Sequence, residues 1–156
     1  MVSGETYMNN TVVIGIGNIL MQDDGIGVHI ISLLKSNSIS SNIELIDGGT
    51  STLDMLCYFT DYKKVVVIDS LKAGYLPGTI YKITPNDIMS YRKENLSIHD
   101  VQILDVVKIA NLMGYYPEVT IIGVEPLSMD YGLELSDEIK KIIPELINQV
   151  KIEISK

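Results

Sequence analysis

Carboxylate and imidazole side chains recur in this chain where runs of β-branched residues give way to turns: Asp24, Asp47, Asp69, His99 and Glu125. In an open α/β sheet, ligands bind in the crevice beyond the carboxyl ends of the strands. Polar groups that end successive strands therefore converge there from distant parts of the sequence. Carboxylates joined by an imidazole can hold a divalent metal, and a metal so held polarises a carbonyl or activates a water.

Each residue also has a structural reading. Aspartate ahead of GIGVHII is what a helix start prefers, so Asp23 or Asp24 can serve as its cap. One helix takes one cap, which leaves the other carboxylate spare beside the strand ends. Asp69 ends the apolar run VVVI, where a buried ion needs a partner charge, a metal or several donors; the alternative is a cap for the following turn. Asp47 precedes Gly48 and Gly49, so DGGT is either a plain turn or a backbone cradle for a peptide.

His99 falls in the first turn of a helix, which favours the neutral imidazole and leaves a ring nitrogen able to meet a metal, although a lone histidine also serves in packing. His29 falls inside an earlier helix and is read as a surface or packing residue outside the site. Glu125 stands before Pro126, whose turn can carry it to solvent, and is given at most a supporting role. Cys57 is flanked by Leu56 and Tyr58 and reads as core, not nucleophile. The sequence has no HExxH helix and no GxSxG elbow.

The loop GIGNILMQDDGIG resembles a dinucleotide fingerprint only loosely. That fingerprint needs three glycines within six residues on a tight turn, and here Asp23 and Asp24 would repel a pyrophosphate.

The elements that must position these side chains follow from periodicity. Residues 11–17, TVVIGIG, form a strand apolar on both faces, as interior parallel strands are. GIGVHIISLLKSN is a helix with Ile26, Ile30, Leu33 and Leu34 inward and Asn37 as its stop. NIELIDGG is a strand, TSTLDMLCYFTDY a helix capped by Thr50 or Ser51, and KKVVVIDS another buried strand. Between Ser70 and Gly78 too few residues intervene for the crossover of a dozen or more that a parallel partner requires, so GTIYKI should run antiparallel.

Thr84, Pro85 and Asp87 start a short helix with a capping box, and Ser97 with Asp100 repeats the signature. The helix that follows turns Val101, Leu104, Val107, Ile109 and Leu112 to the sheet and stops at Gly114. VTIIGVEP is the last strand. The final helix starts at Ser136, carries Asp137 and Glu138 at the positive end of its dipole, and should kink at Pro144.

At 156 residues the chain fits one domain, 1–156, with 1–10 as a loose tail. Twelve basic residues against twenty acidic ones give a net charge of −8, with lysines scattered, which argues against nucleic acid and anionic membranes as partners. No stretch approaches the roughly 18 apolar residues of a membrane span, the start shows no apolar leader, and the single cysteine forms no internal bridge. A cytoplasmic protein is expected.

Taken together, GIGNILMQDDGIG, IDGGT, VVVIDS, PGTIYKI, the helix opening at His99 and IIGVEP resemble the maturation endopeptidases of nickel-iron hydrogenases, over about residues 11 to 150. The resemblance implies a three-layer α/β/α fold with a mostly parallel five-stranded sheet, order 2-1-3-5-4, strand 4 antiparallel. It implies a hydrolase that removes the C-terminal extension of the hydrogenase large-subunit precursor. Nickel would be carried by that substrate and bridged to the enzyme through Asp24, Asp69 and His99, with no organic cofactor. Asp47 would then act as base, with Gly48 and Gly49 binding the peptide. The rival reading is a non-enzymatic α/β module that binds a metal or small ligand.

Overall fold

The computed structural model describes residues 9–90 and 98–156, with the side chains of residues 9 and 98 excepted. Its elements follow in the order β1 (Asn9–Ile16), a 3-10 turn (Gln22–Gly25), α1 (Ile26–Ser36), β2 (Ile43–Gly49), a second 3-10 turn (Thr52–Met55), α2 (Leu56–Asp61) and β3 (Tyr62–Ser70). The second half runs β4 (Ile80–Ile83), α3 (Pro85–Ser90), α4 (Ile98–Leu112), β5 (Glu118–Val124) and α5 (Asp137–Ile154). One five-stranded sheet forms in the order β2-β1-β3-β5-β4. β1, β2, β3 and β5 pair in parallel, and β4 lies antiparallel on β5, as the short connection after Ser70 requires.

Each central strand buries both faces. Val13, Val66, Ile68 and Ile122 meet Ile26, Ile30 and Leu34 of α1 and Ile139, Leu146 and Val150 of α5. Val12, Ile14, Val65, Val67 and Ile121 meet Phe59 of α2, Ile88 of α3 and Ile103, Val106 and Ala110 of α4. Each fully buried Val or Ile contributes about 1.5 to 3 kcal/mol. Truncating Phe59, the largest fully buried side chain, to alanine would cost about 3 to 5 kcal/mol.

Helix α1 sits unusually close to the sheet. A Cβ on Gly27 would lie 2.2 Å from the Ile68 carbonyl oxygen and 2.5 Å from that of Ile16, so only glycine admits this approach. The glycine spacing of the first loop thus serves helix-to-strand contact.

Several local expectations change. Asn9 and Asn10 already belong to β1, and residues 1–8 of the expected tail lie outside the described residues. In α1, Ile31 is buried in place of Leu33, which is exposed. In α4 the buried stripe is Ile103, Val106 and Ala110, so the expected inward face is rotated: Val101, Ile109 and Leu112 are exposed, Leu112 by 88%. This helix is apolar on more than one side, and periodicity alone does not pick the face. Cys57 is exposed, so it is no core residue.

The capping box at α3 is present: the Thr84 N–H donates to Asp87 Oδ2 at 2.7 Å, and the Asp87 N–H reaches Thr84 Oγ1 at 3.4 Å. The Ser97 cap lies outside the described residues. Helix α2 is preceded by Ser51 and a 3-10 turn, without a side-chain cap bond. Helix α5 starts after Ser136 and runs on through Pro144.

Candidate active site

The carboxyl end of β3 organises the site. Asp69 alternates with Val65 and Val67, so it belongs to the face covered by α4. It is 2% exposed. Its Oδ1 accepts the Ser70 N–H at 2.8 Å, while Oδ2 is buried and makes no hydrogen bond to any described residue. Burial, then the charges of Asp100 and Asp24, push its carboxyl well above the usual carboxylate range against the pull of the Ser70 N–H.

Asp24 comes from the opposite layer, on the 3-10 turn that leads into α1. Its Oδ1 accepts the Ser70 hydroxyl at 3.0 Å, and its Oδ2 accepts the Asn18 N–H at 2.9 Å. Ser70 therefore joins Asp24 and Asp69 around the end of one strand. Asp24 does not cap α1, whose N-cap is Gly25.

Asp23 does not cap α1 either. It is 1% exposed and accepts the N–H groups of Leu127, Ser128 and Ser136 and the Ser136 hydroxyl, at 2.7 to 3.0 Å. A carboxylate so satisfied is structural: it fastens segment 126–136 to the first loop. Ser136 spends its hydroxyl there, and α5 begins without a side-chain cap bond.

His99 lies in the first turn of α4, half-buried, and its Nδ1 is buried without a hydrogen-bond partner among the described residues. Beside it Asp100 is buried, and its charge acts on Asp69. In the sequence Asp100 reads as part of a helix-capping signature, and its position directly after the candidate histidine is the one signal of a further role. Among the described residues no group of three His, Cys, Asp or Glu side chains is arranged to hold a metal ion.

Asp47 stands apart. Its register partner is Gly15, which in turn pairs with Ile68, so Asp47 lies level with Ile68 on the α1 side of the sheet. Two strand spacings separate it from β3, about 10 Å. Its Oδ1 accepts the Gly49 N–H at 2.9 Å, and Gly49 takes a φ of 51°, which favours glycine. Gly48 is buried under Ile14 and Met55. Asp47, Gly49 and Thr50 form one wall of a cavity of about 330 Å³ whose apolar lining is Ile19, Leu20 and Val28.

Glu125 is 5% exposed and not carried to solvent. It accepts the N–H groups of Ala73 and Gly74 and the Tyr81 hydroxyl at 2.7 to 3.2 Å, tying down the loop between β3 and β4. His29, on α1, is half-buried, and burial lowers its pKa. No helix among the described residues is long and apolar enough to cross a membrane.

An uncompensated buried carboxyl and a second carboxylate linked to it through a serine can receive a cation or a proton. The comparisons agree on where such a chain belongs. Residues 28–153 match the family model described as hydrogenase maturation protease. The hydrogenase expression/formation protein HupD of Rhizobium leguminosarum is 32% identical over 139 residues, covering 86% of this chain and 69% of that protein. The hydrogenase 2 maturation protease of Escherichia coli is 27% identical over 141 residues, covering 88% and 86%. The solved structure of the hydrogenase maturating endopeptidase HybD from E. coli superposes with a TM-score of 0.84 at 25% identity, covering 94% of this chain and 92% of that one. With the sheet order and these matches in agreement, the chain belongs to the hydrogenase maturation protease family.

Proposed function

We propose that the chain is a cytoplasmic endopeptidase that removes the C-terminal extension of a nickel-iron hydrogenase large-subunit precursor, and that it recognises nickel already lodged in that substrate. Asp69 carries the reading. Its buried Oδ2 has no hydrogen-bond partner among the described residues, and two further carboxylates disfavour its ionisation, so an arriving cation would meet a site electrostatically prepared for it. Asp24, joined to it through Ser70, and His99, whose Nδ1 has no hydrogen-bond partner among the described residues, would be the further donors.

A resident structural metal would be closed by about four protein ligands. Two carboxylates and one imidazole fall short of that number, so the remaining ligands would belong to the precursor. Nickel is therefore cargo in this reading, and the peptide beyond the precursor's last metal ligand lies along Asp47 and Gly49, with Gly48 buried behind them. Asp47, oriented by the Gly49 N–H, accepts the proton of the attacking water.

The test is to incubate the protein with nickel-loaded and nickel-free precursor and follow the C-terminal tail by mass spectrometry. Only the loaded form should be trimmed. Efficient trimming of the nickel-free form would remove the nickel-recognition reading and leave an ordinary peptidase. Failure to trim either form would remove the endopeptidase reading as well.

A further inference from the structure

Beside the candidate site lies a two-ply platform that the mechanism does not use. The Gln22 N–H donates to the Gly132 carbonyl and the Gly132 N–H to the Leu20 carbonyl, both at 2.9 Å, while the Asp23 N–H donates to the Ser128 carbonyl at 3.1 Å. The Asp23 carboxylate fastens the same segment from below through Leu127, Ser128 and Ser136. Gln22 is the one described non-glycine residue with a positive φ, 48°, so the backbone is held in a sparsely populated conformation at this junction.

This well-tied surface displays large apolar side chains. Tyr131 is 89% exposed, Leu133 65% and Leu20 55%. Tyr131 and Leu133 flank Gly132, whose backbone bridge to Met21 and bond to the Leu20 carbonyl set the two segments side by side. Rigid backbone under exposed apolar side chains is the anatomy of an interface core and not of a solvent-facing loop. Two features identify what would cover it. The platform is continuous with the candidate site: the Asn18 N–H binds Asp24, and Ile19 and Leu20 form the lining that leads to Asp47. Its border is acidic. Residues 11–34 and 109–139 contain no lysine or arginine, Asp130 and Glu134 are exposed at the edge, and Lys140 is already drawn to Glu134 at 3.5 Å.

We infer that Leu20, Tyr131 and Leu133 form the surface on which the folded body of the substrate docks, against an apolar patch bordered by lysine or arginine; this rests on the precursor-processing reading above. Docking here places the precursor's tail at the mouth of the cavity beside Asp47, so affinity for the folded body and hydrolysis of the tail are supplied by different residues.

The experiment measures binding of nickel-loaded precursor, and its processing, with the double variant Tyr131→Ser and Leu133→Ser. Both positions are exposed, so thermal unfolding should match the parent. The dissociation constant should rise at least tenfold and kcat/KM fall in step, with kcat at saturating precursor within twofold. Affinity within twofold of the parent would overturn the proposal. The control is Leu112→Ser with Met113→Ser, at the far end of α4 about 20 Å along the helix from His99. It should bind like the parent, and an equal loss there would equally overturn a dedicated platform. Asp130→Lys should weaken binding several-fold at low salt and converge on the parent at high salt; no effect at low salt would overturn the basic border. Should the parent bind precursor and fail to trim it, the endopeptidase reading fails, and docking is decided by the binding data alone. Should the double variant trim and bind as the parent does, docking fails and the endopeptidase reading stands.

Discussion

Asp69 and Glu153 are both buried carboxylates, one at each end of the same sheet, and their surroundings are opposite. Glu153, near the end of α5, meets Lys64 of β3 at 3.2 Å, Lys82 of β4, Lys156 at 3.4 Å and the Thr120 hydroxyl at 2.9 Å. Burial alone would raise its pKa, but the bonds from Lys82, Thr120 and Lys64 hold it down at about 2. Asp69 has only the Ser70 N–H set against burial and two like charges. The amino end of the sheet thus neutralises its buried acid, and the carboxyl end leaves its acid uncompensated. A fold selected for stability alone would treat both alike, so the asymmetry marks the carboxyl end as the functional one.

The largest effect is expected from Asp69→Asn. On the metal-recognition reading, processing of nickel-loaded precursor should fall by at least about 100-fold, read as the fraction of tail removed over time; a normal rate would mean the charge has no role. Next is Glu153→Gln, which leaves the buried Lys64 with only the exposed Glu118, at 3.7 Å, as its anion and should cost about 3 kcal/mol in a denaturant titration. If the loss were negligible, the amino-end cluster would be ornamental and the contrast would lose its stabilising half.

Asp23 sharpens the comparison because it is a buried carboxylate satisfied by N–H and O–H donors instead of lysines. Asp23→Asn replaces an acceptor oxygen with a donor group amid donors and should cost about 2 kcal/mol. It should also loosen segment 126–136, measurable as faster amide exchange there. The smallest effect is a stability gain of about 1 kcal/mol from Asp69→Asn at neutral pH.

The two acids should also leave opposite pH signatures. The folded-state pKa of Glu153 is depressed, so its stabilisation is complete above about 4.5 and is lost as pH falls toward about 2. That of Asp69 is raised, so its penalty is absent below the ordinary value of 3.8 and grows as pH rises through the folded pKa. The gain from Asp69→Asn should therefore disappear in thermal scans below pH 4, whereas the loss from Glu153→Gln should shrink there for the opposite reason.

Much of the architecture was legible because burial on both faces gives near-continuous β-branched runs, as in β1, β3 and β5, and because the short 70–78 connection forbids a parallel partner for β4. The facing of α4 was not, since its apolar residues surround the helix and only packing selects Ile103, Val106 and Ala110. At the site, Asp24 and Asp69 were found from their places at strand ends. What they touch was hidden: Ser70 looks like a turn residue, and Asp100 like a cap. Asp23 and Asp24 are adjacent and chemically identical, and their different duties depend on segment 126–136, more than a hundred residues away. The lysine cluster around Glu153 left no trace in sequence because its members come from β3, β4 and the residues after α5, and scattered lysines look solvated.

The antiparallel β4 also constrains the order in which this chain can be assembled. Among the described residues its partner in the sheet is β5 alone, and Ile83 precedes Glu118 by 35 residues. During synthesis β4 must wait for a strand not yet made, and until then the edge of β3 that β5 will cover, with Val65, Val66, Val67 and Ile68, stands open. An open, flat, apolar edge is a template for pairing with other chains. A nascent or truncated chain that stops short of residue 118 is therefore the aggregation-prone form of this protein, and arrival of β5 closes the hazard and seats β4 in one step.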